Sequence, residues 1–206
     1  MEIRRYRPAD RSECYDIAVK TGAGGQDATG VYPDDDLIPE IFCGPYLDLE
    51  PGLAFVVDNG ERVVGYVLAA ADTRAFVARY RAEVLPAFSR RFSDMDGWSK
   101  DAREMGELGL HPERMLIPDL EKYPAHLHID LLPEAQGQGL GRLLIARLLD
   151  ELAALEVPGV YLDMDAANVG AGAFYERVGF TRIPSEDAGT TRFVVRLPHD
   201  ALNQQR

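Results

Sequence analysis

The run Gln136-Gly137-Gln138-Gly139-Leu140-Gly141 stands between an alternating segment, His126 to Leu132, and an amphipathic one, Leu140 to Leu155. A strand that turns sharply into a helix satisfies both periodicities. Glycines at alternate positions let the backbone take positive φ and lie close against a ligand. The first N–H groups of the helix have no intrahelical acceptor, and the helix dipole adds partial positive charge at the same place. The two effects together make a phosphate site. A glycine-rich turn that merely reverses the chain is the bland alternative.

Spacing separates the phosphate loops that use this geometry. A dinucleotide fingerprint counted from Gly137 would need a third glycine where Arg142 stands. A Walker loop would need Lys and then Ser or Thr where the chain has Arg142-Leu143. The pattern that fits is Q/R-x-x-G-x-G/A, carried by Gln136, Gly139 and Gly141. It resembles the pyrophosphate loop of the GNAT superfamily of N-acetyltransferases. Asn168 to Phe180, NVGAGAFYERVGF, resembles a second signature of that superfamily.

The resemblance implies an α/β (α+β) GNAT fold: a mixed sheet of about seven strands, splayed at the coenzyme site and flanked by helices. It implies acetyl-CoA as acetyl donor and a primary amine of a small molecule or peptide as acceptor, which attacks the thioester directly. The coenzyme set carried over is Leu131, Leu132, Pro133, Gln136, Gly137, Gln138, Gly139, Leu140, Gly141, Arg142, Asn168 and Tyr175. Within it the N–H of Leu131 or Leu132 polarises the acetyl carbonyl, and Tyr175 hydrogen-bonds the coenzyme sulfur. Arg142 either reaches a phosphate or is a solvated helix arginine. Tyr175 has a plain alternative as a core aromatic beside Phe174.

An acceptor amine with a pKa of roughly 10.4 is mostly ammonium at neutral pH, so a base or a water chain must remove a proton. Asp163 stands where ribosomal-protein N-terminal acetyltransferases, which this part resembles, carry a catalytic glutamate. Its side chain is one carbon shorter, which favours relay through water. Asp130 is the second candidate, with His128 beside it. Each has an alternative role as a structural hydrogen-bonding group.

A narrower resemblance runs through Lys20-Thr21 with Gln26-Asp27-Ala28-Thr29, Gly44-Pro45-Tyr46-Leu47, and Tyr123 to Gly141. These pieces are similar to the acetyltransferase-like C-terminal domain of O-GlcNAcases and its free-standing bacterial relatives. The chain has no glycoside hydrolase portion, so glycoside cleavage is not implied. A non-catalytic protein that binds acetyl-CoA for sensing or scaffolding is the alternative to an enzyme.

The remaining chain fits one domain, 1–206. Glu2 to Tyr6 alternates as a strand, and Pro8-Ala9-Asp10 opens a helix carrying Cys14, Ile17 and Ala18. Thr21 to Pro33 is a Gly-rich loop, and Asp34-Asp35-Asp36 begins a short helix to Ile41, as a solvated face or as N-terminal helix charge. Leu53 to Val57 and Arg62 to Ala71 flank an Asn-Gly turn and predict an antiparallel hairpin. Residues 73–123 form an insertion. Phe76, Tyr80, Val84 and Phe88 predict one helix from Arg74 to Phe92, interrupted near Pro86, while Phe92 to Pro124 gives no clear assignment. The insertion either covers the acyl group and shapes the acceptor pocket or makes a homodimer contact. Leu144, Leu148, Leu152 and Leu155 share one side of the glycine-loop helix. Val160 to Met164, Gly179 to Arg182 and Thr191 to Leu197 are the closing strands, and the polar tail after His199 is expected to fray.

A net charge of −12 disfavours nucleic acid and weakly favours a cationic amine. At a Debye length of about 8 Å, scattered carboxylates barely reach a phosphate pocket of oriented N–H groups. Cys14 and Cys43 lack metal-site spacing and histidine clusters, so core thiols and no metal are expected. No long apolar run or signal core is present, which predicts a cytoplasmic protein with no membrane partner.

Overall fold

The computed structural model describes residues 1–185, 187 and 189–198. The tail after His199 lies outside them. Seven strands form one sheet: β1 (Glu2–Arg5), β2 (Ala54–Asp58), β3 (Val63–Ala70), β4 (Ala125–Leu131), β5 (Gly159–Asp165), β6 (Thr181–Ile183) and β7 (Thr190–Arg196). Their order is β1-β2-β3-β4-β5-β7-β6. Every pairing is antiparallel except β4 with β5. The sheet is thus mixed, as expected.

The β2–β3 hairpin follows from its turn chemistry. Gly60 takes φ 94°, while Asp58 Oδ1 accepts from the Gly60 N–H at 2.8 Å and Asn59 Oδ1 accepts from Glu61 and Arg62 N–H at 2.9 Å. Positive φ and side-chain acceptors make this reversal favourable. All of β3 is buried, consistent with a central strand covered on both faces.

Among the described residues eight α-helices flank the sheet. Before β2 come α1 (Arg11–Thr21), α2 (Leu37–Phe42) and α3 (Gly44–Leu49). Between β3 and β4 the insertion supplies α4 (Thr73–Arg79), α5 (Leu85–Phe92) and α6 (Lys100–Leu110). Last are α7 (Leu140–Ala154) after β4 and α8 (Val169–Arg177) after β5. Leu144, Leu148 and Leu152 of α7 are fully buried, but Leu155 is 58% exposed. The helix ends at Ala154, so Leu155 is the capping residue and turns away from the packed stripe.

The insertion is built on one interrupted rod. Residues Tyr80–Val84 form a π-helical turn between α4 and α5, and Pro86 lies in the first turn of α5. Proline has no N–H to donate and its ring crowds the carbonyl four residues back, so a widened turn just before it relieves both. The segment left unassigned by sequence contains α6, capped by Ser99, whose Oγ accepts from the Ala102 N–H at 3.1 Å. Its Gly109 faces Phe88 so closely that a Cβ there would lie 2.1 Å from the ring. Tyr80 Oη donates to the Gly109 carbonyl at 3.0 Å and fastens the same contact.

The insertion is also tied to α2. Arg91 forks onto Asp34 and Asp36, both at 2.7 Å. Leu37 and Ile41 of α2 bury against Phe88 and Phe92 of α5. Two carboxylates of the acidic run therefore have a specific partner, beyond the solvated or helix-terminal role expected of them. Among the described residues no helix is long and apolar enough to cross a membrane.

Candidate active site

The parallel pair β4–β5 registers only at Ala125 with Val160 and at His126 with Tyr161. Beyond His126 the two strands diverge, while β4 continues paired to β3 as far as Leu131 with Gly65. A cavity of about 900 Å³ lies at the open end of this seam. It is lined by Leu131, Gln136, Gly137, Gly139, Leu140, Gly141, Arg142, Asn168 and Tyr175 of the predicted coenzyme set, and by Asp130. One end of β4, one helix N-terminus and α8 thus converge on a single space.

Each part of the loop has a local cause. Gly137 and Gly139 take φ 72° and 77°, a region costly for residues with a Cβ. Gly139 is the N-cap of α7 and no side chain caps that end. The first intrahelical bond runs from Leu143 N–H to the Gly139 carbonyl, so the preceding amides are not consumed by the helix. Gly141 permits close packing, since a Cβ there would lie 3.2 Å from the Phe174 ring and 3.4 Å from Leu131. Gln136 Nε2 donates to the Leu131 carbonyl at 2.8 Å, and Gln138 Nε2 to the Glu134 carbonyl at 2.6 Å. The glutamines brace the loop by their side chains. Gln138 is exposed and is not among the residues lining the cavity.

Of the two amides expected to face the acetyl carbonyl, Leu132 N–H is already donated to the Val64 carbonyl at 2.9 Å. It points toward β3 and cannot serve, which corrects the expectation for that residue. Successive strand N–H groups point to opposite edges, so Leu131 directs its N–H toward the open seam. Leu132 is 3% exposed, and neither it nor Pro133 lines the cavity.

Tyr175 is 8% exposed and its ring packs against Phe174, Phe180 and Phe193 at centroid distances of 5.3, 5.8 and 5.5 Å. Burial, and secondarily the charge on Asp130, raise its pKa. It therefore stays a neutral donor. Asp130 is half-buried and accepts a hydrogen bond from Tyr66 Oη at 2.7 Å. Burial raises its pKa, and the hydrogen bonds from Tyr66 and Thr21 oppose that shift. A carboxylate so raised is better matched to accepting a proton near neutral pH.

Asp163 is placed differently. Arg192 grips both its oxygens at 2.7 and 2.6 Å, and Asp163 is not among the residues lining the cavity. Among the described residues no group of three or more His, Cys, Asp or Glu could hold a metal ion.

The opposite wall comes from the Gly-rich loop after α1, through Thr21, Gly24, Gly25 and Gln26. Gly24 and Gly25 take φ 61° and 91°, and the Asn168 amide donates to the Gly24 carbonyl at 3.2 Å. Asn168 also caps α8 through Ala171 N–H at 3.0 Å. Reasoning from sequence gave this loop no role in the cavity. Its only signal was the density of glycine beside Thr21 and Gln26.

The ionisable face of β4 is not a solvated one. His126 is 4% and Tyr46 1% exposed. Tyr46 Oη lies 2.7 Å from His126 Nε2 and 3.1 Å from His128 Nε2, and Thr73 Oγ1 lies 2.7 Å from His126 Nδ1. Burial holds His126 far below the usual imidazole range. Burial, aided by the Arg114 charge, pushes His128 down to about 3. Both rings are neutral at physiological pH.

The chain is 44% identical to a protein called SsHAT, whose crystal structure superposes with a TM-score of 0.89 over 95% of this chain and 97% of that one. It is 23% identical to Protein O-GlcNAcase of Rattus norvegicus over 183 residues, 86% of this chain but only 20% of that protein. The chain thus spans about a fifth of the length of that relative. A shorter match, 36% identical over 73 residues, covers 32% of this chain and 49% of [Ribosomal protein bS18]-alanine N-acetyltransferase of Escherichia coli strain K12. Residues 25–180 match the model of the Acetyltransferase (GNAT) family, and the chain belongs to that family.

Proposed function

We propose that this protein is an acetyl-CoA-dependent N-acetyltransferase acting on a primary amine of a small molecule or peptide. The observation that carries the reading is the seam: β4 leaves β5 where the amides of Leu131 and of the α7 N-terminus face one cavity. The donors fit a diphosphate and a carbonyl. Gly137, Gly139, Leu140, Gly141 and Arg142 would hold the phosphates. Leu131 N–H would stabilise the oxyanion, and Asn168 would order the wall of α8 beside the loop.

Asp130 is the base in this reading, because it lines the cavity with a raised pKa. Asp163, held by Arg192, is assigned to order that end of β5 and to act on the reaction only through water. The amine nitrogen attacks the thioester carbon, the C–N bond forms and the C–S bond breaks. Of the two protons an ammonium must lose overall, one passes through Asp130 to solvent and the other ends on sulfur. Tyr175 supports the departing sulfur by a hydrogen bond; its raised pKa disfavours complete proton transfer. The peptide arm of the proposal is supported by the similarity to the alanine N-acetyltransferase.

Calorimetry with acetyl-CoA and a thiol-release assay over an amine panel test the two halves separately. The proposal expects binding together with amine-dependent release of CoA. Binding without release from any amine would support the sensing or scaffolding alternative. Absence of binding would remove both.

A further inference from the structure

The proton order along the buried face of β4 can be worked out from its far end. The Pro124 carbonyl carries no proton and lies 2.7 Å from Thr73 Oγ1, so the Thr73 hydroxyl donates to it. The Thr73 oxygen then accepts from His126 Nδ1, which places the His126 proton on Nδ1. A neutral His126 offers a bare Nε2, and Tyr46 donates to it. Met115 Sδ, 3.8 Å from the same hydroxyl, is the weaker acceptor. With its proton committed, Tyr46 accepts from His128 Nε2. His128 therefore carries its proton on Nε2 and has a bare Nδ1.

His128 is half-buried, set edge-on to Phe42 and Tyr46 at 5.4 and 5.1 Å. It is not among the residues lining the cavity, but it shares a strand face with Asp130, two residues on, which does line it, where β4 no longer pairs with β5. We propose that His128 is a positioning residue for the acceptor: its bare Nδ1 accepts a hydrogen bond from the amine N–H while Asp130 takes the proton. The assignment rests on the proposed transferase reading and adds to it the residue that orients nitrogen.

His128 is not itself the base. The chain His128–Tyr46–His126–Thr73 ends on a peptide carbonyl, which offers a proton no further acceptor. The groups facing the histidine pair are Asp130 on the same strand, Tyr46 from α3, Thr73 and Arg114 from the insertion and Tyr161 from β5. Arg114 lies over the Phe42 ring at 5.3 Å, and together with burial it opposes a second cation on His128. The locked tautomer is what the chain supplies.

The test is 15N spectroscopy of the histidines in full-length protein, before and after adding agmatine or an alanine-terminated tripeptide in the presence of CoA. Expected are Nδ1–H on His126, Nε2–H on His128, and a shift of His128 Nδ1 with at least one probe. Tyr46→Phe should release the His128 tautomer. His128→Phe should raise KM for the amine about tenfold, the worth of one hydrogen bond, with acetyl-CoA affinity unchanged and little dependence on pH. His128→Asn, which keeps an acceptor near the Nδ1 position, should recover part of the loss. Reversed tautomers, or an Nδ1 signal unmoved by both probes in protein that binds acetyl-CoA, would overturn the assignment. Failure to bind acetyl-CoA would instead sink the transferase reading, while the free-protein tautomers would still show whether the chain is ordered as described.

Discussion

The glycine-loop wall of the cavity and the helical layer behind its opposite side are held by different means. At the loop from Gln136 to Gly141 the determinants are backbone: two glycines at positive φ, an uncapped helix N-terminus and the end of a strand. In the layer of α1 to α3 and the insertion, from which the cavity lining takes Thr21, they are long-range contacts made by side chains, such as Arg91 with Asp34 and Asp36, Tyr80 with the Gly109 carbonyl, and Tyr46 with His126. A wall made of backbone suits the part of a ligand that does not vary. A layer held by side chains can be changed one residue at a time, which suits support for a variable acceptor.

Substitutions can break that division. The largest effect is expected for Asp130→Asn, about 10³-fold in kcat at neutral pH, since the proposed base is lost. Because burial raises the Asp130 pKa, wild-type rate should fall with acidification at a pH above the ordinary carboxylate range. That limb should vanish in Asp130→Asn and persist in Asp163→Asn; the reverse result would move the base to β5. Tyr175→Phe should lower kcat about 10²-fold with acetyl-CoA affinity within about twofold, so steady-state kinetics beside calorimetry decide whether it acts on the leaving group. Gly139→Val should weaken acetyl-CoA binding by tens of fold, because a β-branched residue at φ 77° is strained by about 1–3 kcal/mol. Its circular dichroism should remain that of the wild type. The smallest effect belongs to Arg91→Ala. Its ion pairs are partly exposed, so the loss is about 1 kcal/mol, or about 2–4 °C in Tm by calorimetry. An unchanged KM for acetyl-CoA in that variant would sharpen the contrast between the two regions.

The same contrast explains what was legible in the sequence. Gln136, Gly139 and Gly141 act through φ and close approach, and both leave a fixed spacing in the chain. The hairpin at Asn59-Gly60 was legible for the same reason. The roles of Arg91 and of His126 were not, because their partners lie 57 and 80 residues away in Asp34 and Tyr46 and no periodicity records such a pairing. Alternation correctly marked His126, His128 and Asp130 as one face of β4. It could not say that α3 and the insertion would bury that face. Leu132 was misplaced for a subtler reason, since two adjacent amides differ only in which edge of the strand they face.

The parting of β4 from β5 leaves Ile129 and Leu131 with N–H groups turned toward a gap in the middle of the sheet. An interior strand thereby acquires the chemistry of a border strand, with amides that exchange with solvent unless something lies alongside. Deuterium uptake at these positions should be fast in the free protein and slow with acetyl-CoA present, and the melting temperature should climb with its concentration. The weakest row of bonds in the sheet would then be completed by the molecule it receives.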